Sequence, residues 1–430
     1  VKCTRAGWTC SYPDPKPVKT VKTLLAPISR YAIPFKVPGS QKDRQVLHYY
    51  CVQGSGELAG WFNLDFWSRV VSAVATQHDA ILTAQVLQQS HQEPVVRQAL
   101  VSLGMLHLEF TTTSRDTAGV EVLTQYGRTL RMLKRRLDTA DAGTMKTALI
   151  CCILFCCFEA ACNNYSGATG HLQNGLKLLS NFHDDPDLDV LTRMIGGLDV
   201  QASLLNDSRP PQLESDILPD TTTITTFPTL DEAYQMQTKL KSGLLHSLMT
   251  AMPQNSPKRG GLPVLDKKDA LAKQIDLWWT RFEHFKTTEA QETGAQILRF
   301  HHKVASMFLD GSSPASSARV FGSSPNTRAQ EILDLAEDVL RRSEGGSRRS
   351  LSIETGVVAP LFAVAMQCSD DHVRTRALGL LDSLDRREGL YDTQGMIRSL
   401  QEFMAARAGE RLVLNEQSSN ELAIRHLDFS

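Results

Sequence analysis

The chain has 430 residues, 42% hydrophobic and 22% charged, with a net charge of −1. These values exclude a disordered or collagen-like chain and describe an ordinary globular protein large enough for more than one core. The longest apolar run, Ala148 to Phe158, ends at Glu159 and falls short of the ~18 residues of a membrane helix; no secretory signal is visible.

The first ten residues carry Cys3 and Cys10 in a short basic segment without apolar periodicity. Packing is a poor explanation for two cysteines with no core around them, which leaves metal binding, a disulfide or unpaired thiols. Residues 1–44 hold nine Lys or Arg against Asp14 and Asp43, a net +7, so the remainder carries −8. A basic arm on an acidic body suits a nucleic-acid binder, because phosphates reward Lys and Arg whatever the base sequence; it equally suits a solvated tail. Pro13, Pro15, Pro17, Pro27, Pro34 and Pro38 preclude a long helix across 11–45, which reads as a linker.

From Gln45 onward the pattern is helical, with almost no strand signal. Trp61, Phe62, Leu64, Phe66, Trp67, Val70, Val71 and Val74 recur at helical spacing, continuing to about Leu87. Pro94 sits well in the first turn of the next helix, whose apolar side is Val96, Ala99, Leu100, Leu103 and Leu106. Val122, Tyr126, Leu130, Leu133 and Leu137 predict another, backed by Arg128, Arg131, Lys134, Arg135 and Arg136. That basic side reads either as a phosphate-binding face or as the solvated side of an amphipathic helix. Met145 to Cys162 is apolar nearly all round and predicts a buried central helix, turning at Asn163-Asn164 into a second helix through Leu179. Five cysteines crowd this stretch, Cys151, Cys152, Cys156, Cys157 and Cys162, as reduced thiols in a core rather than a disulfide framework.

Further helices are expected at 187–205, 230–252 and 267–309, with loops at 206–229 and 253–266. A flexible Gly-Ser-Ser-Pro break covers 311–327. Four more helices follow, at about 328–343, 353–368, 370–385 and 393–408, and the last dozen residues are loose. The fold expected is all-α, a helical array of about a dozen helices stacked as hairpins.

Enzymatic constellations are sparse. Asp184, Asp185, Asp187 and Asp189 resemble the Mg²⁺-binding aspartates of an all-helical prenyl-diphosphate enzyme. Pro186 interrupts the helix that would aim them, and Asp between helices also serves as turn former and N-cap. Adjacent His301 and His302 point apart on a helix. Cys152 and Cys156 lie one turn apart and are expected to be buried and inert. No phosphate loop, nucleophile elbow or metalloprotease pattern is present, so the chain is not expected to be an enzyme.

Cys3-Thr4-Arg5-Ala6-Gly7-Trp8-Thr9-Cys10 resembles the end of the fungal binuclear zinc-cluster DNA-binding domain. In that family six cysteines hold two zinc ions, and Cys3 and Cys10 match the fifth and sixth. The resemblance implies that this sequence, which begins with Val, starts just past the fourth ligand and is a fragment. Leu58 to Ser68, Glu93 to Ala99, Leu103 to His107, Tyr126-Gly127-Arg128, Leu149 to Cys152, His171-Leu172, Pro360-Leu361-Phe362, Cys368 and Arg387 to Asp392 resemble, in order, the motifs of the fungal-specific transcription factor helical domain. Gln77 to Ser90 is longer than the family pattern. By this resemblance residues 1–10 are a zinc-cluster remnant, 11–45 a basic linker, 46–410 the helical regulatory domain and 411–430 a tail. The implied protein is a nuclear, zinc-dependent, sequence-specific regulator of RNA polymerase II transcription, acting on metabolic or secondary-metabolite genes. Lys2, Arg5, Lys16, Lys19 and Lys22 would contact phosphate, and transcriptional co-regulators would be partners. A homodimer stays open, although this linker cannot form the family's coiled coil. A helical interaction module without DNA binding is the second reading, and the Mg²⁺-dependent enzyme the third.

Overall fold

The computed structural model describes residues 38–63, 66–67, 93–113, 117–138, 142–180, 188–205, 209–213, 226–250, 264–312, 314–343 and 349–407, and all structural statements concern these. The architecture is all-α, as the apolar periodicity predicts, with one small sheet that it does not.

Helix α1 (Gln41–Tyr49) opens on a capping box in which Ser40 accepts from the Asp43 amide and Asp43 accepts from the Ser40 amide. The helical body therefore starts five residues before the expected boundary, just past the last linker proline. A π-turn (Tyr50–Gly54) leads into α2 (Ser55–Ala59). Trp61 to Asn63 then form a turn rather than the expected helix, with Asn63 at φ 53°. Phe62 joins the second core, Trp61 is exposed, and Phe66 and Trp67 join the first core, so the apolar residues do not share one helix face. Phe66 and Trp67 are helical and buried; the rest of that expected helix lies outside the described residues.

Helices α3 (Pro94–Thr112), α4 (Val120–Leu137), α5 (Ala142–Ala161), α6 (Tyr165–Leu179) and α7 (Asp189–Leu205) build the first core. Its centre is α5, where Leu149, Ile150, Cys151, Leu154, Phe155 and Phe158 are all at most 1% exposed. Thr144–Ala161 is long and apolar enough to cross a bilayer, yet 83% of it is buried inside the protein. The α5–α6 hairpin turns as predicted: Asn163 takes φ 59° and Asn164 caps α6 by accepting from the Gly167 amide.

Helices α8 (Leu230–Thr250), α9 (Val264–Glu283), α10 (Glu292–Asp310), α11 (Pro314–Val320), α12 (Thr327–Ser343), α13 (Val358–Gln367), α14 (Asp371–Asp382) and α15 (Thr393–Arg407) surround the second core. The single helix expected over 267–309 is broken, because Thr288 and Gln291 form a capping box that starts a new turn at 289. The expected flexible break at 311–327 is instead built into the core. It contains α11, buried Phe321, and buried Asn326, which caps α12 through the Ala329 amide and donates its own amide to Asp370. Gly-Ser-Ser-Pro composition marks a turn there, not looseness.

Between the cores lies the sheet, in the order β1 (Arg349–Ser352), β2 (Asp385–Glu388), β3 (Tyr391–Asp392). The first pair is parallel and the second antiparallel. Leu351, Ile353 and Leu390 belong to the first core, and Tyr391 to the second. Strand β1 ends at Ser352, just before the expected 353–368 helix, and residues 353–357 continue as non-helical chain, so α13 begins only at Val358.

Candidate functional site, a polar seam between two cores

Two short segments cross from one core to the other and fix the seam. After α2 the chain turns at Gly60, and Phe62 leaves the first core to stack on Tyr234 of α8, with ring centroids 4.2 Å apart. The segment after β1 follows the same line, with the Ile353 amide donating to the Leu58 carbonyl (2.8 Å).

Glu354 is 6% exposed and stands at the centre. Tyr234 donates to its Oε2, and Asn63 Nδ2 donates to its Oε1 (2.6 Å). Gln235 Nε2 in turn donates to Asn63 Oδ1 (2.7 Å). Burial pushes the Glu354 carboxyl up to about 7, against the lowering pull of these two donors. Lys241 of α8 is lowered to about 7 by burial, with Glu354 opposing the shift. Lys241 Nζ donates to His301 Nδ1 (2.7 Å), so Nε2 carries the ring proton and donates to the Gly356 carbonyl (2.6 Å). His301 is therefore neutral. Burial and then Lys241 hold its pKa well below the ordinary histidine range.

A second clamp is Gln201 of α7, 3% exposed. Its Nε2 donates to the Ile353 carbonyl (3.1 Å), its Oε1 accepts from the Leu390 amide (3.1 Å), and its carbonyl accepts from the Tyr391 hydroxyl (2.9 Å). Glu388 Oε2 accepts from the amides of Gly356 (3.0 Å) and Val358 (2.9 Å), holding the start of α13 against β2.

Two arginines finish the seam. Phe110 lies between the guanidinium groups of Arg349 (4.3 Å) and Arg387 (4.9 Å). Arg349 donates to the Thr113 carbonyl past the end of α3, and Arg387 to the Ala161 carbonyl at the end of α5. Each thus sits where the helix macrodipole favours a cation. Arg387 also lies 3.5 Å from Asp392. The stretch Arg387 to Asp392, which resembles a closing motif, is therefore the latch that binds the sheet to α3, α5 and α7. Chemically the seam is a set of internally matched donors and acceptors, suited to holding two helical cores in register.

None of the predicted metal- or DNA-binding residues falls in the seam, although His301, one of the two adjacent histidines, does. Cys3, Cys10, Lys2, Arg5, Lys16, Lys19 and Lys22 lie outside the described residues, as do Asp184 to Asp187. Asp189 stands in the first turn of α7, paired with Arg193. Among the described residues no group of three or more His, Cys, Asp or Glu could hold a metal. His301 and His302 diverge as expected, the latter stacking on Trp279 at 4.6 Å. Cys151, Cys152, Cys156 and Cys157 are buried, and burial raises all four thiols. The five-residue basic side of α4 is corrected to four. Arg136 turns inward to Glu93 (2.9 Å) and Thr144 (2.6 Å), while Arg128, Arg131, Lys134 and Arg135 remain exposed. Sequence reasoning missed Glu354, Tyr234, Asn63, Lys241 and Gln201. The available signal was weak: an ionisable residue inside an apolar helix, such as Lys241 between Leu240 and Leu244.

Residues 64–249 match the fungal-specific transcription factor domain. A similar protein is the transcription regulator lscL of Purpureocillium lilacinum, 28% identical over 132 residues, which covers 28% of this chain and 32% of that protein. Another is the aspercryptin biosynthesis cluster-specific transcription regulator atnN of Emericella nidulans, 22% identical over 414 residues, covering 72% of this chain and 67% of the relative. The chain thus spans about a third of the first relative's length and two thirds of the second's. Both are named as regulators of transcription, not as enzymes. No solved structure matches the chain.

Proposed function

We propose, from the match of residues 64–249 to the fungal-specific transcription factor domain, that the chain is the regulatory body of a zinc-dependent, sequence-specific regulator of RNA polymerase II transcription that works in the nucleus. The observation that carries the reading is the domain match over 64–249. The name of one relative, a cluster-specific regulator of aspercryptin biosynthesis, supports a metabolic or secondary-metabolite gene set as the target.

In this reading Cys3 and Cys10 are two of the six thiolate ligands of a binuclear zinc cluster. A tetrahedral thiolate zinc needs four ligands. These two cysteines alone do not meet that need, and the described residues add no metal-holding group. In this reading the cluster's other four cysteines are those sought upstream in the native transcript. Lys2, Arg5, Lys16, Lys19 and Lys22 neutralise phosphates beside the cluster, which sets position without reading sequence. The helical body, kept as one piece by the seam, presents its surface to co-regulators.

The test is the 5′ end of the native transcript, followed by metal analysis of its full product. Four further cysteines at zinc-cluster spacing, two bound zinc ions and loss of zinc in Cys3→Ala are the expected results. A product without those cysteines, or one that binds its DNA site equally well after chelation, sinks the zinc reading.

A further inference from the structure

Helix α4 carries a cationic face that no carboxylate among the described residues neutralises. Arg128, Arg131, Lys134 and Arg135 are exposed, and none has an ion-pair partner among the described residues. At 100° per residue the four fall within about 120° of the helix circumference. No carboxylate interrupts residues 128–135; Glu121, a turn or more earlier, is paired with Lys42. The opposite side, with Val122, Tyr126 and Thr129, is buried against the first core.

On other helices clustered arginines are neutralised locally: exposed Arg341 and Arg342 pair with Asp338, and half-buried Arg328 and Arg376 pair with Asp310 and with Asp334 and Glu337, whereas exposed Arg319 stands singly. The chain beyond residue 44 is also acidic overall, at −8, so a cationic sector there is not a by-product of general basicity. The helix macrodipole rewards Lys134 and Arg135 in the last turn, but it does nothing for Arg128 and Arg131, which lie further back.

We propose that the α4 face formed by Arg128, Arg131, Lys134 and Arg135 is a second DNA contact, binding the sugar–phosphate backbone of duplex DNA without reading its sequence. The inference rests on the chain being a regulator that works on DNA. From Arg128 to Arg135 the face runs about 10 Å along the helix axis, the axial spread of about three successive phosphates on one strand. Its role is to add backbone affinity and to orient the helical body against the duplex.

The experiment measures binding of the 430-residue chain to a random duplex of about 30 base pairs, by fluorescence anisotropy from about 50 to 200 mM salt. Four proteins are compared. They are wild type; Arg128→Gln/Arg131→Gln/Lys134→Gln/Arg135→Gln; the charge-preserving Arg128→Lys/Arg131→Lys/Arg135→Lys; and the arm variant Lys16→Gln/Lys19→Gln/Lys22→Gln. The α4 neutralisation is expected to make the log K against log salt slope shallower by about 3 and to weaken binding about tenfold or more at the low-salt end. The lysine variant keeps wild-type binding, and the arm variant keeps the α4 contribution. All four residues are exposed, so unchanged circular dichroism and thermal midpoints are expected in every variant. The proposal is overturned if the wild type ignores duplex at the lowest salt, or if the α4 variant retains the wild-type slope. It is also overturned if poly-glutamate binds the face and duplex does not, which assigns the face to an acidic protein. The assay contains neither zinc nor a specific site, so this contact and the zinc reading can fail independently.

Discussion

Gly389→Ala isolates the seam in a single methyl group. Gly389 follows β2 at φ +60° and donates its amide to the Ser352 carbonyl at 2.8 Å. A non-glycine residue in that left-handed conformation costs about 1–2 kcal/mol. The added Cβ would also collide with Gln201 Oε1 and stand 2.9 Å from the Ile353 carbonyl. The Ile353 carbonyl, just past β1, need give only slightly, whereas Gln201 must move away. Its departure breaks two buried hydrogen bonds, to Ile353 and Leu390, each worth about 1 kcal/mol net. The expected loss is about 3–4 kcal/mol in all, measured by equilibrium urea unfolding followed by circular dichroism. In a Gln201→Ala background the same substitution should cost only the conformational part, about 1–2 kcal/mol. Gly170→Ala in α6, whose Cβ would meet nothing within 4 Å, should be neutral or stabilising by about 0.5–1 kcal/mol. A Gly389→Ala loss below about 1 kcal/mol, or an equal loss with and without Gln201, would refute the assignment of the seam to this contact.

Three further outcomes are expected. Burial lifts Glu354 to about 7, above the ~4.3 of an unfolded glutamate, so the folded state holds a proton that the unfolded chain has lost. Stability therefore falls as pH rises from about 4.3 to about 7. Burial lowers Lys241 to about 7 from the ~10.4 of an unfolded lysine, so stability recovers between those values. Glu354→Gln should abolish the acid limb of this curve while keeping the alkaline one; an unchanged limb in urea titrations from pH 5 to 7 would show that Glu354 is not its source. Arg387→Lys keeps the charge but loses the planar group on Phe110 and its reach to Ala161; a stability loss of about 2–4 kcal/mol is expected, and a loss under about 0.5 would count against the latch. Cys151, Cys152, Cys156 and Cys157 should resist alkylation at pH 8 until the chain unfolds, with mass spectrometry of the labelled peptides as the check; rapid native labelling of any of them would contradict their burial.

The sequence by itself determined most of the helices and the faces they bury, though not the turn at Trp61 to Asn63, the break at 289 or the helix inside 311–327. Periodicity in α3 and α5 through α7 is carried by residues whose neighbours three and four positions away share their chemistry, so it survives without tertiary information. The Asn163-Asn164 turn was legible for the same local reason. The family resemblance was legible too over 64–249, where the domain match lies. What only the tertiary structure decided were the features that join distant positions. Glu354 meets Asn63 across 291 residues and Tyr234 across 120, and Gln201 meets Leu390 across 189. The short strands at 349–352, 385–388 and 391–392 have too few residues to display an alternation and exist because two cores close on them. Arg136 looks identical in sequence to its neighbour Arg135, and only the position of Glu93 separates the half-buried ion pair from the open cationic face. Local pattern sets each helix and its apolar side; burial of polar groups requires a partner, and the fold alone supplies the partner.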